Sequence, residues 1–567
     1  MRRNDESKAD LHRFFYEQTL VFMLQRPHWL AIGIVAALAL FALLTLGQRS
    51  VAADEFSMFW AAPKSIPTIL KLYFSPHENN PAGTSLLQHA WGSLFGFSDE
   101  SLRVLALIFA LGAIVYIWKL TNLFAGQLTD NMRLAVFCLA ATTPVVWMGA
   151  NFARYQSIVM LLGLAAVYYY SLWYRAQETG QSSWRNLALY TVLTGATFYF
   201  HYLSAAVFAL CAGFHYLSTL RRRSLRQIGV WAASQALIIV LILPIVITIL
   251  TTYSQMDLGA SPLAATNVKK PLAAVMFFGA TVFGLMNGFA VAPWTVWVVL
   301  PMLVLIVVLS VLAFRTEWIA RNRFGLFFLA FPLVFMSLVV VRMYPPLQFY
   351  LIPSVQRVGF VAPLFWIVVG MGIAKITKRE LRIGVVVSII LCNFYAIATW
   401  NLNTVATQQT PPIREVRDFV GAHVKDASRL TIAHPFGYRY GMESVGSATN
   451  GSATAVDRYL PTSHALFWVE TDLTKEFTLD SCERFVNAAQ TPEFVIVQRN
   501  RYHTNSDRLA EALQRLGYKL EAEQPLQRQT AVDVWFKAQL LKLPIAGFKE
   551  DAAPQQYLYM VRYFRKS

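Results

Sequence analysis

The sequence predicts a polytopic α-helical membrane protein with about eleven transmembrane helices, followed by a C-terminal α/β soluble domain. Of the 567 residues, 56% are hydrophobic and only 14% are charged, whereas about a quarter of an average soluble chain is charged. Many apolar runs approach or exceed the roughly 20 residues that a helix needs to cross a bilayer. Charged residues become frequent again after residue 400, and this change marks the start of the predicted soluble part.

The predicted transmembrane helices all lie within the first 400 residues. The apolar stretch 271–290 is not counted among them, because as a span it would move the basic loops 315–323 and 375–382 to the outer side. We predict that this stretch is an interfacial or re-entrant helix on the outer side. The predicted spans are 29–46, 102–119, 134–150, 155–174, 187–200, 203–220, 228–251, 293–314, 324–341, 358–375 and 383–400.

The distribution of positive charge predicts the orientation of the chain. Residues 1–400 hold 29 Lys and Arg against 14 Asp and Glu, whereas residues 401–567 hold 20 against 18. With the N-terminus inside, the inner segments carry 20 cations and the outer loops carry 8, as the positive-inside rule requires. The predicted domains are a cytoplasmic N-terminal segment at 1–28, a transmembrane module at 29–400 with a large outer loop at 47–101, and an outer α/β domain at 401–567.

The C-terminal part has the pattern of a mixed α/β domain. Helices are predicted at 413–424 and 506–516, the second ending at Gly517, and strands at 429–433, 493–498 and 557–564. The basic residues are not clustered with aromatic residues on a soluble face, so no nucleic-acid partner is predicted. The four cysteines show neither a disulfide framework nor zinc-ligand spacing.

Acidic residues just beyond the first span are the first candidates for chemistry. Asp54 and Glu55 are adjacent and precede several aromatic residues. Such a pair at a membrane surface can act as a general base, or can hold a cation or a sugar hydroxyl; the alternative is a solvated turn. Glu78 lies in a turn rich in Pro, Gly and Asn, where the alternative is an ordinary loop acid. Asp99 and Glu100 precede span 102–119, where capping and the helix dipole explain them.

Cationic groups are predicted on the same outer face. Arg154 lies in a very short loop, NFARYQ, where a phosphate or a carboxylate is its natural partner and snorkelling to the interface is the alternative. Arg357 ends an outer loop rich in Pro and aromatic residues. His201 lies at the outer end of a span, where a satisfied interfacial histidine is the alternative.

This set of side chains suits a substrate with a phosphate head and a lipid tail. Displacing a lipid phosphate from a sugar needs a base that deprotonates the acceptor and cations that hold the departing phosphate. A carboxylate base opposite the leaving group inverts the anomeric centre, by analogy with the inverting hydrolases.

The separated segments that carry these residues resemble the polyprenyl-phosphate-sugar-dependent glycosyltransferases of the C superfamily, the dolichyl-phosphate-mannose–protein mannosyltransferase group that includes the lipid A aminoarabinose transferase. The acid pair Asp54–Glu55 is similar to that family's first-loop signature, where an acidic residue is taken as the catalytic base. The segment ENNPAGTSLLQHAWGSLFGFSDESLRV resembles a second family segment, which aligns Glu78 with its acid and His89 and Trp91 with its H-x-W.

Further segments extend the resemblance over residues 29–400. Arg103 matches an arginine that opens the second span, NFARYQS aligns Arg154, FHYLSAA aligns His201, and RVGFVAP aligns Arg357. The sequence departs from the family at Asn80, which stands where the family usually has the histidine of H-P-P. The sequence requires no cofactor, and a divalent metal is left as an alternative without support from it.

The resemblance implies an inverting glycosyltransferase of the bacterial inner membrane whose active site and C-terminal domain face the periplasm. It implies a polyprenyl-phosphate sugar donor and an extracytoplasmic acceptor, namely lipopolysaccharide or lipid A, another glycan, or a protein. The predicted catalytic residues are Asp54 and Glu55. The predicted substrate-binding residues are Glu78, His89, Arg154, His201 and Arg357. Two alternatives are a transporter or flippase of lipid-linked glycans, which the near absence of ionisable residues at mid-depth disfavours, and a non-catalytic membrane scaffold.

Overall fold

The structure is a computed structural model, and it describes part of the chain. The statements below concern the described residues, which are 27–49, 53–73, 81–181, 183–253, 278, 281–286, 288, 308–309, 324–343, 358–402, 413–424, 426, 430–434, 464–467, 478–499, 503–528 and 557–567.

The described residues among the first 400 fold into helices. They are α1 Pro27–Leu44, α2 Ala53–Ala61, α3 Ile66–Tyr73, α4 Gly83–Phe95, α5 Asp99–Phe124, α6 Asp130–Ala141, α7 Pro144–Ala150, α8 Gln156–Glu178, α9 Trp184–Phe198, α10 Tyr202–Leu217, α11 Leu225–Tyr253, α12 Phe331–Met343, α13 Val361–Ile373 and α14 Arg379–Asn401. A π-helical turn, Leu326–Ala330, leads into α12.

Within the described residues, four helices are long and apolar enough to cross a membrane: α5, α8, α11 as far as Thr248, and α14. A fifth span results if the bent pair α6 and α7 is counted as one. Four shorter apolar helices lie within α1, α10, α12 with its π-helical turn, and α13. The predicted span 293–314 and the interfacial stretch 271–290 lie largely outside the described residues. The predicted helical membrane fold is confirmed, whereas the number of spans stays a prediction.

The predicted span 134–150 is a broken helix rather than a straight one. Helices α6 and α7 meet at 48° around Thr142 and Thr143. Pro144 has no N–H to donate to the preceding turn, and its ring disfavours helical geometry at residue 143, so α6 ends and α7 begins at the proline. The bend brings the end of α7 and the short loop 151–155 towards α2, where the candidate site lies.

The helices bury large aromatic residues inside the bundle and expose aliphatic residues around it. Trp147, Trp173 and Trp366 are fully buried in one continuous core. Helix α11 instead leaves Ile239 and Val240 more than half exposed, as it does several of its other aliphatic residues. A broad exposed apolar face of this kind on a long helix is the surface that lipid covers.

The C-terminal part forms a five-stranded mixed sheet with helices. Its strand order is β2-β1-β3-β5-β4, in which β1 pairs in parallel with β2 and β3, and β5 pairs antiparallel with β3 and β4. The elements are α15 Ile413–His423, β1 Leu430–His434, β2 His464–Phe467, α16 Leu479–Ala489, β3 Glu493–Arg499, α17 His503–Arg515, β4 Tyr518–Arg528 and β5 Tyr557–Lys566.

All five predicted elements of this part are present, with bounds shifted by a few residues at most. Strands β2 and β4 and helix α16 were not predicted. Strand β4 is at the edge of the sheet, where one row of backbone groups needs no partner, so its sequence tolerates Pro525 and several charged residues. That composition resembles a loop when only the sequence is considered.

Helix α15 connects the C-terminal part to the membrane bundle. Ile413 and Phe419 share one buried cluster with Phe59 of α2 and Leu102 of α5. At the start of α5, Ser98 caps the helix by accepting a hydrogen bond from the N–H of Ser101. Asp99 and Glu100 lie in this first turn, and their predicted role was capping and dipole compensation. They also bind the C-terminal part, because the Arg414 guanidinium lies 3.3 Å from Asp99 and 3.7 Å from Glu100.

Helix α4 begins with a close backbone contact to the junction of α9 and α10. The N–H of Gly83 donates to the carbonyl of Tyr199 over 3.1 Å. A Cβ atom at residue 83 would lie 2.3 Å from the same carbonyl oxygen, so a glycine is required at this position. The contact fixes α4 beside the start of α10, where His201 lies.

Candidate functional site

The centre of the candidate site is a buried carboxylate, Glu55 of α2. Its side chain has no exposed surface. The Nη2 atom of Arg49 lies 2.8 Å from Oε2, and Arg103 contacts both oxygens, with Nη2 at 3.1 Å from Oε2 and Nε at 3.3 Å from Oε1. A buried carboxylate held between two guanidinium groups is strongly fixed in position, because moving it would leave buried charges unpaired.

The two arginines are bound by backbone oxygens and an aromatic ring. Arg49 also donates to the carbonyl of Asn151 over 2.7 Å, and its guanidinium lies 4.8 Å from the ring centroid of Trp400. The Nη1 atom of Arg103 donates to the carbonyl of Leu46 over 2.6 Å and to that of residue 49 over 2.8 Å. We call Glu55 with Arg49 and Arg103 the arginine clamp. Its contacts join the end of α1, the start of α5, the loop after α7 and the end of α14.

Ala153 connects this clamp to α4. Its N–H donates to Oε1 of Glu55 over 2.8 Å, and its carbonyl accepts a 2.8 Å hydrogen bond from Nε2 of Gln88. Helices α2 and α4 are thus bound to the backbone N–H and the carbonyl of one residue. The next residue in the loop is Arg154, so the same contacts fix the backbone from which this arginine extends.

Arg154 begins a row of stacked groups that ends at α10. Its guanidinium lies 5.1 Å from the ring centroid of Tyr155, that ring stacks on His201 at 4.1 Å, and His201 stacks on Tyr202 at 5.8 Å. The Nδ1 atom of His201 accepts a hydrogen bond from the N–H of Ser204 and caps α10. A guanidinium and an imidazole that both contact one tyrosine ring form an arrangement that can bind an anion.

His89 lies on α4 and faces α2. Its Nδ1 atom is 2.9 Å from the carbonyl oxygen of Ala62, just beyond the end of α2. Two positions later, the indole N–H of Trp91 donates to the carbonyl of Ser101 over 2.9 Å. Helix α4 is therefore bound to both α2 and α5 through the H-x-W pair.

Several polar side chains beside Ala153 are buried without a hydrogen-bonding partner among the described residues. Both amide atoms of Gln156, the hydroxyl groups of Ser157 and Thr84, and the Oε1 atom of Gln88 belong to this group. Buried polar groups are nearly always paired, and each exception calls for an explanation such as a bound molecule. These groups are on α4 and at the start of α8, on either side of the loop that carries Arg154.

The structure brings five of the seven predicted site residues to this end of the bundle. Glu55 is the carboxylate of the clamp, and Asp54 precedes it in the first turn of α2. Arg154 and His201 are joined through Tyr155, and His89 contacts the end of α2. Glu78 and Arg357 lie outside the described residues, so their places in the site stay predictions.

Three contributors were not predicted from the sequence. Arg49 was counted only as a loop charge, and Arg103 was matched to the family without a role. A cation just inside a span requires a partner, and the acid pair at 54–55 was a candidate partner, so the contact of Arg103 with this pair could have been predicted. Gln88 gave no signal, because a single glutamine in an amphipathic helix is an ordinary surface residue.

Over the described part of the chain, no group of three or more His, Cys, Asp or Glu side chains could hold a metal ion. The site here consists of arginines, histidines, amides and hydroxyl groups around one buried carboxylate.

The chain is similar to a known family over its first half. Residues 79–248, which contain His89, Arg154 and His201, match the family model described as dolichyl-phosphate-mannose-protein mannosyltransferase. A search of the curated proteins finds no significant match.

Solved structures give a likeness over nearly the whole chain. ArnT from Cupriavidus metallidurans in the apo state matches with a TM-score of 0.55 and 11% identity, over 95% of this chain and 98% of that one. The same protein bound to undecaprenyl phosphate matches with a TM-score of 0.51 and 10% identity, over 94% and 98%. The predicted resemblance to the dolichyl-phosphate-mannose–protein mannosyltransferase group is confirmed by the family model over residues 79–248. The two ArnT structures show the same fold over 95% and 94% of the chain.

Proposed function

We propose that the protein is an inverting glycosyltransferase that moves one sugar from a polyprenyl-phosphate donor to an extracytoplasmic acceptor. The observation that carries the proposal is that three segments meet at Ala153. They are α2 with the acid pair, α4 with the H-x-W pair, and the loop of Arg154. Such a convergence positions a base and a phosphate-binding cation at one end of a membrane bundle. The family model and the ArnT-like fold support the same assignment, since the model describes a mannosyltransferase and one of the similar structures is a complex with undecaprenyl phosphate.

The proposed reaction is a single displacement at the anomeric carbon. A hydroxyl or amine of the acceptor attacks this carbon, the bond to the phosphate oxygen breaks, and the polyprenyl phosphate leaves with the electron pair. Asp54 accepts the proton of the acceptor, and the configuration inverts because attack and departure occur on opposite faces. Glu55 has a positioning role in place of the predicted catalytic one, because its oxygens already accept hydrogen bonds and it has no exposed surface.

Cations at the site provide the binding of the leaving group. Arg154 and Arg357 are proposed to bind the donor phosphate. His201 contacts the same Tyr155 ring as Arg154 and so lies near it. Charge-assisted hydrogen bonds from guanidinium to phosphate strengthen as negative charge grows on the departing oxygen. Glu78 is proposed to orient the sugar or the acceptor, and His89 holds α4 against α2 at the edge of the site.

The buried amides and hydroxyl groups are proposed to recognise sugar hydroxyls. We expect Gln156→Leu to lower transfer about 3- to 10-fold, the effect of losing one neutral hydrogen bond. We expect the same change to leave the melting temperature unchanged or to raise it, because it removes a buried amide that lacks partners in the described structure. Transfer rates and thermal unfolding of the purified variant measure the two effects.

Gln235→Leu is the matched control for this change. Gln235 is half-buried on α11, and its amide donates to the hydroxyl of Ser234 over 3.1 Å. We expect the control to keep normal transfer and to lose a little stability. A Gln156→Leu protein that is destabilised but transfers sugar normally contradicts a role for this amide in binding.

The proposed orientation places the Ala153 end of the bundle in the periplasm of a bacterial inner-membrane protein. The opposite ends of the described helices carry the cation-rich junctions, including Arg221, Arg222, Arg223, Lys378 and Arg379. This distribution supports an N-terminus in the cytoplasm. The proposed organisation keeps residues 1–28 as the cytoplasmic segment, 29–400 as the transferase module and 401–567 as a periplasmic domain, with lipopolysaccharide, another glycan or a protein as acceptor.

A transfer assay tests the proposal as a whole. Purified full-length protein is mixed with a panel of synthetic polyprenyl-phosphate sugars, each with a labelled sugar, and with membrane extract as acceptor. We expect transfer, or slow release of sugar to water, from one donor of the panel. Folded protein that processes none of the donors but moves labelled lipid-linked glycan across proteoliposomes overturns the transferase and supports a transporter.

A further inference from the structure

A second polar site lies at the end of the bundle remote from Ala153. Helix α5 has 26 residues and is about 39 Å long, so its last turn lies far from its first. Beside that last turn is an open cavity of about 530 Å³ between the ends of α5 and α8. Five of its eight lining residues are polar or charged, namely Asn122, Gln127, Arg175, Glu178 and Thr179.

The approach to this cavity along α5 carries a lysine among tyrosines. The Nζ atom of Lys119 lies 4.9 Å from the ring centroid of Tyr116 and 5.5 Å from that of Tyr168. The hydroxyl oxygens of Tyr116 and Tyr169 are 3.5 Å apart. All four side chains are half-buried, so part of each faces the surroundings of the bundle.

Helical spacing places the tyrosines, the lysine and the cavity in one line between α5 and α8, and we call this line of residues the groove. Residues 116, 119, 123 and 126 follow each other on one face of α5 and the turn after it, and residues 168, 172, 175 and 179 do so on α8. The two faces meet along their length. Lys119 contacts the Tyr168 ring, and one turn further the Nη2 atom of Arg175 donates to the carbonyl of Leu123 over 2.7 Å.

We propose that this groove binds the headgroup of an anionic phospholipid from the membrane leaflet at this end of the bundle. Lys119 and Arg175 contribute two positive charges and Glu178 one negative charge, so the groove favours an anion. A phosphodiester between the two cations would leave the glycerol and headgroup oxygens near Asn122, Gln127 and Thr179. The tyrosine rings are amphipathic and suit the boundary between headgroups and acyl chains.

The position of the groove identifies a lipid rather than a soluble anion as the occupant. Lys119 is about one and a half turns before the end of α5, and Tyr116 is nearly a turn further from that end, so both lie where a spanning helix passes from the headgroups to the acyl chains. A soluble phosphate has no need of tyrosine rings at that depth. Snorkelling explains the direction of Lys119 alone, but not the polar cavity that continues from it.

Lipid binding to the intact protein tests the proposal. Delipidated full-length protein is titrated with phosphatidylglycerol or with phosphatidylcholine of the same acyl chains, and the bound lipid is counted by native mass spectrometry. We expect Lys119→Gln to weaken the binding of phosphatidylglycerol about fivefold, as for one cation near an anionic lipid. Binding of phosphatidylcholine is expected to stay unchanged, and Lys119→Arg is expected to restore the difference.

Two controls make the outcome decisive. Arg226→Gln removes an exposed cation at the same end of the bundle, and we expect it to leave phosphatidylglycerol binding unchanged. Equal losses in the Arg226 and Lys119 variants, or wild-type binding in Lys119→Gln, overturn the site. A polyprenyl phosphate that displaces phosphatidylglycerol from wild type but not from Lys119→Gln overturns the choice of a phospholipid and assigns the groove to a phosphate monoester lipid.

Discussion

Asp54→Asn is expected to abolish sugar transfer while leaving expression and thermal stability intact. A general base at the reacting centre contributes about 10²- to 10⁴-fold to the rate, and an amide cannot accept the proton. Asp54 precedes Glu55 in the first turn of α2, and the ion pairs of Glu55 with Arg49 and Arg103 fix the backbone at this turn. Rates with the donor identified in the panel measure the loss.

Asp130→Asn is a matched control for this prediction. Asp130 begins α6, and its mostly exposed carboxylate pairs with Arg133 on the same helix. We expect near-normal transfer from this variant, since exposed pairs contribute little. If Asp54→Asn transfers sugar at a rate close to that of Asp130→Asn, Asp54 is not the base.

Glu55→Gln is expected to destabilise the protein severely. The change leaves two buried guanidinium groups without their carboxylate, and breaking a buried ion pair by removing one partner costs about 3–5 kcal/mol. It also weakens the hydrogen bond from the N–H of Ala153 and so loosens the loop of Arg154. Thermal unfolding in detergent measures the loss, and expression is expected to fall with it.

Glu100→Gln and a double variant control for this effect. Glu100 is half-exposed and lies 3.7 Å from Arg414, so its change is expected to cost little. Arg49→Gln combined with Glu55→Gln is expected to cost less than the sum of the single changes, because the first removes one of the charges that the second leaves unpaired. Additive costs, or a stable Glu55→Gln protein, contradict the clamp.

The fold was predictable from the sequence where one physical effect dominates. Apolar length determines helices such as α8 and α14, since a bilayer requires it, and Gly517 marks the end of α17 because it adopts a positive φ of 85°. Strand β4 was not predictable, because an edge strand owes its conformation to its partner β5 rather than to its own composition. Pro144, which causes the break between α6 and α7, is visible in the sequence, but the average hydropathy of a predicted span does not reveal a break within it.

The candidate site was predictable in composition but not in arrangement. The sequence indicated the acids Asp54 and Glu55 and the cation Arg154 as outer-face residues. The burial of Glu55 depends on the direction in which α2 packs, and one partner that holds it there is Arg103, which is separated from it by 48 residues. The contacts at Ala153 involve its backbone N–H and its carbonyl, which no sequence pattern reports.

The buried cluster that α2 shares with α15 has a consequence for the order of events during synthesis. Residues of α2 leave the ribosome roughly 350 positions before those of α15, and until then Phe59 lacks the side chains of Ile413 and Phe419. The helix with the acid pair therefore completes its packing only after α15 has been made. A chain synthesised only as far as the membrane bundle lacks this contact, so the surroundings of the acid pair are complete only when α15 has packed against α2.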